Sequence, residues 1–321
     1  MKTSRPRSSG DSRALASSYH RPVLVEETMS YLTGDAGLYL DGTVGGGGHS
    51  AALLERCRNC RVLAVDRDPE ALAAARSRLR RFAGRVVFSH MSFRHAGSDP
   101  RVRAEGLAGA LLDLGVSSHQ LDADERGFSF RRGTVLDMRM DPDASLTAAT
   151  FLASASRDEL VRALRHGQAP RPAALAARIV GRRADTPFRT SDDLVAVLES
   201  VLGRRAAHGE KARLFQALRI RVNGEIEALE AALPAIRDAL LPGAVFVVIS
   251  YHSLEDGMVK RAFREWSDPS HGLPRRLPVR AAELASRGTM LTRKPVTPCS
   301  AEVEANPRAR AARLRAWSRA A

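Results

Sequence analysis

The sequence of 321 residues has little lysine, cysteine or aromatic content and no long apolar run. Only four of its 50 basic side chains are lysine, so the net charge of +14 rests almost wholly on arginine. Three cysteines are too few for a disulfide framework and fit a reducing compartment. Apolar runs such as 244–249 are far shorter than the roughly 18 residues of a membrane span. No apolar segment follows the basic N-terminus, as a secretory signal requires. We therefore expect a cytoplasmic protein without a membrane partner.

The positive charge itself favours a polyanionic partner. Phosphates neutralised by basic side chains release counterions, and arginine binds them bidentately. A GC-rich coding bias toward arginine is the alternative explanation for any single cluster. At the C-terminus, Arg308, Arg310, Arg313 and Arg315 alternate with alanine or leucine rather than with acidic residues. We interpret this cluster as an RNA contact, with a solvated surface as the alternative.

Strands alternating with helices predict a parallel sheet covered on both faces. A helix is expected to start at Pro69, and one long apolar stripe from Leu214 to Leu233 predicts a single helix. The predicted strands are Leu38–Asp41, Arg61–Asp66, Arg85–Ser89, Gly109–Asp113, Ala244–Ile249, Met290–Pro295 and Ala312–Trp317.

No strand is predicted between about Leu121 and Arg213, where only helical patterns occur. The predicted helices are Asp158–Arg165, Ala173–Arg183 and Ser191–Leu202, with Ser191 or Asp192 as the N-cap of the third. The simplest architecture is one α/β sheet interrupted by a helical insertion after its fourth strand.

Four consecutive glycines, Gly45–Gly48, follow the first predicted strand and precede a helix. Such a loop is costly in backbone entropy unless something approaches it closely, and a helix N-terminus favours an anionic group. Asp66 ends the next strand, 18 residues after Gly48, where a carboxylate can bind ribose hydroxyls. This pattern fits either NAD or S-adenosylmethionine. Asp41, directly before the loop, favours S-adenosylmethionine, because a carboxylate repels a pyrophosphate and attracts a sulfonium.

Several motifs in order then carry a family resemblance. They resemble the bacterial small-subunit (16S) ribosomal RNA cytosine-N4 methyltransferase (MraW) family from about residue 20 to the C-terminus. The segments that carry the resemblance are 20–24 (HRPVL), 40–50 (LDGTVGGGGHS), 64–69 (AVDRDP), 111–118 (LLDLGVSS), 127–130 (GFSF), 136–141 (LDMRMD), 215–220 (FQALRI), 249–256 (ISYHSLED) and 306–310 (NPRAR).

The resemblance implies a class I S-adenosylmethionine-dependent methyltransferase with a Rossmann-like α/β sheet and an inserted all-helical domain. Its reaction would methylate the N4 amine of one cytidine in the decoding region, on free small-subunit ribosomal RNA or the assembled subunit. The expected domains are a flexible basic tail at 1–18, a methyltransferase domain at 19–120 plus 214–321, and a substrate-recognition insertion at 121–213. A monomer and a homodimer both remain open.

The resemblance also assigns residues. Cofactor contacts would be Gly47, Gly48, His49, Asp66, Phe93, Asp113 and Gln120. Apart from the resemblance, His252 and Ser253 follow the fifth strand at the ligand-binding edge of the sheet, and with Ser117 and Ser118 they are the candidate substrate contacts. His49 is otherwise a satisfied polar residue. Two departures concern substrate contact: His119 stands where the family has proline, and 166–169 reads HGQA where the family has YGEE.

Asp113 is the candidate catalytic residue. The cytosine amine is a poor nucleophile, because its lone pair is conjugated into the ring. Amine methyltransferases commonly place an Asp/Asn-Pro-Pro-aromatic motif after the fourth strand, and 113–116 (DLGV) occupies that position without the prolines or the aromatic. We expect Asp113 to accept a hydrogen bond from the amine, with a purely cofactor-binding role as the alternative.

The remaining motifs have structural alternatives. Ser253 and Asp256 resemble a capping box, and Phe128 with Phe130 would either stack a flipped base or anchor the insertion. The pair Cys57 and Cys60 is interpreted as structural or incidental, and the histidines show no metal-ligand spacing, so no metal is expected. Competing functions are a DNA amine methyltransferase, an NAD-dependent oxidoreductase and a non-catalytic RNA-binding assembly factor.

Overall fold

The computed structural model describes residues 22–32, 34, 36–268, 270 and 286–321. The predicted tail at 1–18 lies outside the described residues, as do His20 and Arg21 of the first motif. The chain divides into two compact units. Unit 1 comprises the described residues up to Gly115 and from Ala228, and unit 2 comprises Val116–Glu227.

Unit 1 contains a seven-stranded sheet in the order β3-β2-β1-β4-β5-β7-β6. Strands β1 to β5 pair in parallel, and β7 runs antiparallel to both of its neighbours. This mixed sheet confirms the predicted α/β, Rossmann-like class. The strands are β1 Gly37–Asp41, β2 Cys60–Asp66, β3 Val86–His90, β4 Leu107–Asp113, β5 Leu240–Ser250, β6 Gly288–Met290 and β7 Arg313–Arg319.

The strands of the sheet interior are apolar runs because both faces are covered. Leu40, Leu63 and Leu112, on β1, β2 and β4, are all essentially inaccessible to solvent. The prediction of a strand over Met290–Pro295 is wrong in its extent, since β6 ends at Met290. Leu291 and Thr292 still bond to Ala316 of β7, and the next bridge to that strand is Val296 with Leu314.

Helices connect these strands and build unit 2. In chain order they are α1 Val25–Leu32, α2 Gly48–Arg56, α3 Pro69–Arg78, α4 Pro100–Glu105, α5 Ser118–Asp122, α6 Ala148–Ser154, α7 Arg157–His166, α8 Pro172–Arg183, α9 Ser191–Leu202, α10 His208–Asn223, α11 Glu225–Ala239, α12 Ser253–Ser267 and α13 Ser300–Ala305. Helix α3 starts as predicted, because Asp68 caps the Glu70 amide and Pro69 takes the first helical position.

The predicted single helix across Leu214–Leu233 is wrong. Gly224 adopts a left-handed conformation (φ +57°) that ends α10, and α11 begins at the next residue. The N-cap of α9 is Thr190 rather than Ser191 or Asp192, because Asp193 accepts hydrogen bonds from the Thr190 amide and hydroxyl.

The regular secondary structure of unit 2, all of which is described, is helical apart from one isolated bridge between Val135 and Thr190. Its own core includes Leu164, Leu175 and Leu214, so α10 belongs to this core. Unit 2 therefore extends beyond 121–213 at both ends. The recognition role of that insertion stays a prediction.

Candidate functional site

Three aspartates end three neighbouring parallel strands: Asp41 on β1, Asp66 on β2 and Asp113 on β4. Their carboxylates therefore lie along one edge of the sheet, the carboxyl edge at which open α/β sheets bind ligands. Burial raises the pKa of Asp41 to about 6, that of Asp66 to about 6 and that of Asp113 to about 7. Buried carboxylates need hydrogen-bond donors or a cation to hold their charge. This edge suits a ligand that brings both.

The glycine loop joins β1 to α2. Gly45 (φ +50°) and Gly47 (φ +77°) adopt left-handed conformations that favour glycine. A Cβ on Gly48 would lie only 2.6 Å from Pro22 Cγ, whereas the nearest atom to a Cβ on Gly45 would be Thr43 O at 3.9 Å. The glycine at 48 is thus required by packing within the protein, and the open approach is at Gly45.

Asp66 binds the loop directly. Its Oδ2 accepts a hydrogen bond from the Gly45 amide at 2.9 Å, and its Oδ1 accepts one from the Asp68 amide at 2.9 Å. Each carboxylate oxygen has a further lone pair, so Asp66 can still accept hydrogen bonds from a diol. The predicted ribose contact therefore has the right chemistry.

Asp41 lies deeper in the protein, next to the start of α2. Its Oδ2 accepts a 2.6 Å hydrogen bond from the Ser50 hydroxyl, and its Oδ1 lies 3.4 Å from the Thr43 amide. Together with His49, the Asp41 carboxylate forms the polar end of a cavity that is otherwise lined mainly by apolar side chains of α1, β1 and α2. A fixed negative charge thus lies behind the glycine loop.

His49 is held by a hydrogen bond at Nε2 and faces Asp113 through Nδ1. Its Nε2 lies 2.9 Å from the Val23 carbonyl oxygen, which can only accept, so Nε2 carries the proton. Burial lowers the pKa of His49, so the neutral ring faces Asp113 with an unprotonated Nδ1, 3.8 Å from Oδ2. The hydrogen bond at Nε2 agrees with the alternative interpretation, in which His49 is a polar residue that bonds within the protein. The contact of His49 with the cofactor stays a prediction.

Asp113 is contacted from both neighbouring strands. Its amide donates to Thr43 Oγ1 at 2.6 Å on the β1 side, and Tyr251, just after β5, donates its phenol hydroxyl to Oδ1 at 3.0 Å. The pKa of Asp113 is raised by burial and by the charge of Glu255, and it is lowered by the Tyr251 hydrogen bond. The hydrogen bond from the phenol hydroxyl thus favours the ionised form of Asp113.

The segment between β5 and α12 carries the predicted substrate residues His252 and Ser253. His252 is the N-cap of α12, with Nδ1 accepting from the Glu255 amide at 3.4 Å and Nε2 lying 3.0 Å from Glu255 Oε1. The predicted capping box of Ser253 with Asp256 is therefore wrong. Ser253 is the first helical residue, and Asp256 binds an arginine of β7 instead.

Phe93 opens a short 3-10 helix, 93–98, after β3. A Cβ built on Gly42 would lie 3.3 Å from Phe93 Cβ, so the Phe93 backbone runs beside the glycine loop. This position agrees with a contact to a ligand over the loop. The specific contact to an adenine ring stays a prediction.

The other predicted residues belong to unit 2. Ser117 and Gln120 cap α5 reciprocally: the Ser117 amide donates to Gln120 Oε1 at 3.0 Å, and the Gln120 amide lies 3.2 Å from Ser117 Oγ. Ser118 is the first residue of that helix, and His119 lies in its first turn. Capping therefore explains the hydroxyl at 117 and the amide at 120 by local structure alone, and their ligand contacts stay predictions.

The rings of Phe128 and Phe130 pack against other side chains of unit 2. Phe128 is 6% exposed within the core of unit 2. Phe130 meets the rings of His208 and Phe215 edge-on, with centroids 5.0 and 5.7 Å away. These contacts favour the anchoring role over base stacking.

The loop around 136–141 is built by polar side chains. Arg126 donates to the Met140 carbonyl at 2.9 Å, and Arg139 pairs with Asp137 at 2.7 Å. Asn223 accepts from the Met140 amide at 2.8 Å and donates to the carbonyl of Met138, a buried residue with a left-handed φ of +64°. Several independent contacts thus fix this loop.

The C-terminal arginine cluster is only partly accessible. Arg308, Arg310 and Arg313 are exposed, whereas Arg315 is 3% exposed and binds Asp256 through Nε at 2.6 Å. The prediction of an RNA contact is wrong for Arg315, whose side chain points into the core between β7 and α12. For the other three arginines the RNA contact stays a prediction.

Cys57 and Cys60 form a disulfide between the end of α2 and the start of β2, and Cys299 is a free, exposed thiol. The structural interpretation of the pair agrees with this bond.

Two site residues were missed by sequence analysis. Thr43 lies within the glycine motif and Tyr251 within the 249–256 motif, and both contact Asp113. Their positions in the sequence could have identified both residues, since each follows the end of a strand adjacent to β4.

Among the described residues, no helix is both long enough and apolar enough to traverse a bilayer.

Comparison with known proteins agrees with this arrangement. A model of the MraW methylase family matches residues 17–320. A ribosomal RNA small subunit methyltransferase H from Gemmatimonas aurantiaca is 48% identical over 305 residues, covering 93% of this chain and 95% of that protein. Proteins of the same name from Heliobacterium mobile and Beutenbergia cavernae are 45% and 44% identical, covering 92% and 95% of this chain and 97% and 94% of their own lengths. Since these matches span nearly the whole sequence, the chain belongs to the MraW methylase family.

Proposed function

We propose that the protein transfers a methyl group from S-adenosylmethionine to the exocyclic N4 amine of one cytidine in small-subunit ribosomal RNA. Family membership and the names of its relatives support a ribosomal RNA methyltransferase. The observation that carries the chemistry is the row of Asp41, Asp66 and Asp113 at the carboxyl edge of the sheet. A cytidine in the decoding region is the specific nucleotide that we propose.

The residues of this edge fit the cofactor. S-adenosylmethionine, when bound, supplies a methyl group on a positively charged sulfur. Asp66 would hold the ribose hydroxyls with the lone pairs that its two backbone contacts leave free. Asp41 and Asp113 bring negative charge to the same edge, which favours a cation over a pyrophosphate. Gly47, Gly48, His49, Phe93 and Gln120 complete the proposed set of cofactor contacts.

Asp113 would act on the substrate amine. The amine nitrogen gains one methyl group and loses one proton, so an acceptor for that proton is needed nearby. An ionised Asp113 can accept a hydrogen bond from the amine, which draws the nitrogen lone pair out of conjugation with the ring. Because Asp113 is largely buried, with its side chain 10% exposed, this interaction is weakly screened by water. Proximity of amine and acceptor supplies the rest of the rate.

The RNA would be held by charge and by unit 2. Arg310 and Arg313 are exposed at or near the start of β7, whose register pairs Arg313 with Ser250 at the carboxyl end of β5. We assign them to phosphate contacts. Ser117, Ser118, His252 and Ser253 are the proposed substrate contacts, and the 121–213 insertion is the proposed recognition domain. The reaction would take place in the cytoplasm, and sedimentation would distinguish a monomer from a homodimer.

The test is transfer of labelled methyl from S-adenosylmethionine to naked ribosomal RNA and to small subunits from unmodified cells, followed by nucleoside digestion. We expect N4-methylcytidine, and Asp113→Asn should lower turnover by about 10²-fold or more, as for loss of a general base. Asp238→Asn is the matched control, because its side chain is 64% exposed at the end of α11. It should leave turnover unchanged.

The other functions predict different results. Labelled DNA in place of RNA would indicate a DNA amine methyltransferase, and preferential binding of NAD would indicate an oxidoreductase. RNA binding without cofactor binding would indicate an assembly factor. An Asp113→Asn protein that binds cofactor normally and keeps full turnover would refute the catalytic role of Asp113.

A further inference from the structure

Tyr251 lies where the carboxyl ends of β4 and β5 meet. Asp113 pairs with Ile249 in the register of these strands, and Tyr251 follows two residues later. Its hydroxyl is 3.0 Å from Asp113 Oδ1. Its ring lies against Gly115 (φ +94°), where an added Cβ would be 3.5 Å from Tyr251 Cδ2. The phenol therefore contacts both the carboxylate and the loop that follows it.

The backbone of Tyr251 is fixed as well. Its amide donates to Glu255 Oε2 at 3.0 Å, and Glu255 is 2% exposed in the first turn of α12. The residue is thus held between the end of a buried strand and the start of a helix. A side chain on such a support has little freedom to reorient.

The hydrogen bond distinguishes the two oxygens of Asp113. A carboxylate can only accept, so the phenol donates, and burial with the charge of Asp113 raises the pKa of Tyr251 and keeps it protonated. One lone pair of Oδ1 is therefore engaged by Tyr251. Oδ2 faces His49 Nδ1 at 3.8 Å, beyond hydrogen-bond distance, and is the oxygen with more capacity for a new donor.

We infer that Tyr251 is the positioning residue for Asp113: its hydroxyl fixes the carboxylate and leaves Oδ2 to receive the substrate amine. This inference rests on the proposed function, in which Asp113 accepts the amine hydrogen. It also accounts for the incomplete motif at 113–116. That segment contains no aromatic residue, and Tyr251, just after the neighbouring strand β5, supplies an aromatic side chain instead.

A second consequence concerns the charge of Asp113. Burial and Glu255 on α12 raise the pKa of Asp113, and Tyr251 lowers it. The other titratable groups facing this corner are His49 on α2, which is neutral because burial lowers its pKa, Asp41 on β1, and Glu302 on α13, whose charge acts on both Tyr251 and His49. Without the phenol hydroxyl, the pKa of Asp113 would rise above about 7, and less of the carboxylate would be ionised at neutral pH.

The experiment compares the wild type with Tyr251→Phe and with Tyr31→Phe, a control that removes the hydroxyl of another half-buried tyrosine, on α1. Carboxyl carbon NMR of aspartate-labelled protein, assigned with Asp113→Asn, measures the pKa of Asp113. Single-turnover methyl transfer between pH 6 and 9 measures the rate. Calorimetry measures cofactor affinity, and thermal unfolding confirms that both variants fold.

In Tyr251→Phe we expect a higher pKa for Asp113 and an acidic limb of the rate profile moved to higher pH by a similar amount. The rate at pH 7 should fall about tenfold or more, as for loss of a hydrogen bond to a charged group, with partial recovery at pH 9. Cofactor affinity at pH 9, where Asp113 is largely ionised in both proteins, should change less than twofold. Tyr31→Phe should match the wild type in every measurement.

An unchanged pKa of Asp113 in Tyr251→Phe would overturn the inference, whatever the rate. A rate that falls equally at every pH would also overturn it, since a purely structural defect behaves in that way. If the wild type methylates no RNA, the proposed function fails, but the NMR measurement still decides whether Tyr251 controls the charge of Asp113.

Discussion

The buried ion pair between Asp256 on α12 and Arg315 on β7 offers a direct test of what joins this helix to the sheet. Arg315 Nε donates to Asp256 Oδ1 at 2.6 Å, and Nη2 donates to Oδ2 at 3.2 Å. Arg313 also approaches Oδ2, at 3.4 Å, from a side chain that is 46% exposed. The variants to compare are Asp256→Leu, Arg315→Met and the double replacement.

The expected costs differ because each single variant leaves a different group behind. Asp256→Leu leaves the Arg315 guanidinium buried without its carboxylate, which should cost about 3–5 kcal/mol of unfolding free energy. Arg315→Met should cost less, because Arg313 still faces the carboxylate. Among the described residues, Arg315 Nη1 is already buried without a hydrogen-bond partner, so the native pair itself carries a desolvation cost. The double variant should therefore be close to the wild type, with a coupling energy of about 2 kcal/mol or more.

Tryptophan fluorescence is the suitable probe during urea unfolding. The protein has two tryptophans, and both lie in unit 1, Trp266 on α12 and Trp317 on β7. Their rings meet edge-on with centroids 5.2 Å apart, so their signal reports on the same helix–strand contact as the ion pair. Unit 2 contains no tryptophan and does not contribute to this transition.

The reasoning would be refuted if the two single variants each cost less than about 0.5 kcal/mol, the range of ordinary surface substitutions. It would equally be refuted by additive costs in the double variant, since additivity indicates that the two groups do not interact.

Two further predictions concern packing and protons. In a circular-dichroism melt, Gly167→Ala should destabilise unit 2 by about 2 kcal/mol or more, because its Cβ would lie 2.2 Å from Ala217 Cα on α10. The control Gly181→Ala, with open space around the added Cβ, should be neutral or slightly stabilising in the same measurement. S-adenosylmethionine should bind more tightly as pH rises from about 5.5 to 7.5. The ribose hydroxyl donors favour the ionised form of Asp66 and the cationic sulfur favours that of Asp113, and the pKa values of these groups are about 6 and about 7. Calorimetry at pH 6 in buffers of different ionisation enthalpy should detect proton release, and a heat that is independent of the buffer would contradict this prediction.

Sequence patterns predicted the sheet and its three aspartates well. Buried parallel strands are short apolar runs that end at a polar residue, and Asp41, Asp66 and Asp113 each ended such a run. The helices α7 to α9 were predicted within about one residue, because each combines an amphipathic pattern with local start signals.

The errors came from interactions that sequence neighbours do not reveal. Gly224 interrupts an apolar stripe that continues on both sides, and nothing local requires its left-handed turn. Arg315 was assigned to the surface by its charge, and only the pairing of β7 beside α12 turns it toward Asp256. Tyr251 was unremarkable in sequence because its partner, Asp113, is 138 residues away.

The position of β7 in the sheet has a consequence for biosynthesis. This strand lies between β5 and β6. Its first residue, Arg313, pairs with Ser250 of β5, which is 63 residues earlier in the chain. At a translation rate of about 5–20 residues per second, β5 waits roughly 3–13 s for its partner. During that interval the strand has an unpaired edge and an apolar sequence from Ala244 to Ile249, a combination that invites pairing with other chains. Nascent chains arrested within this interval should therefore depend on chaperones, and those arrested after β7 has emerged should not.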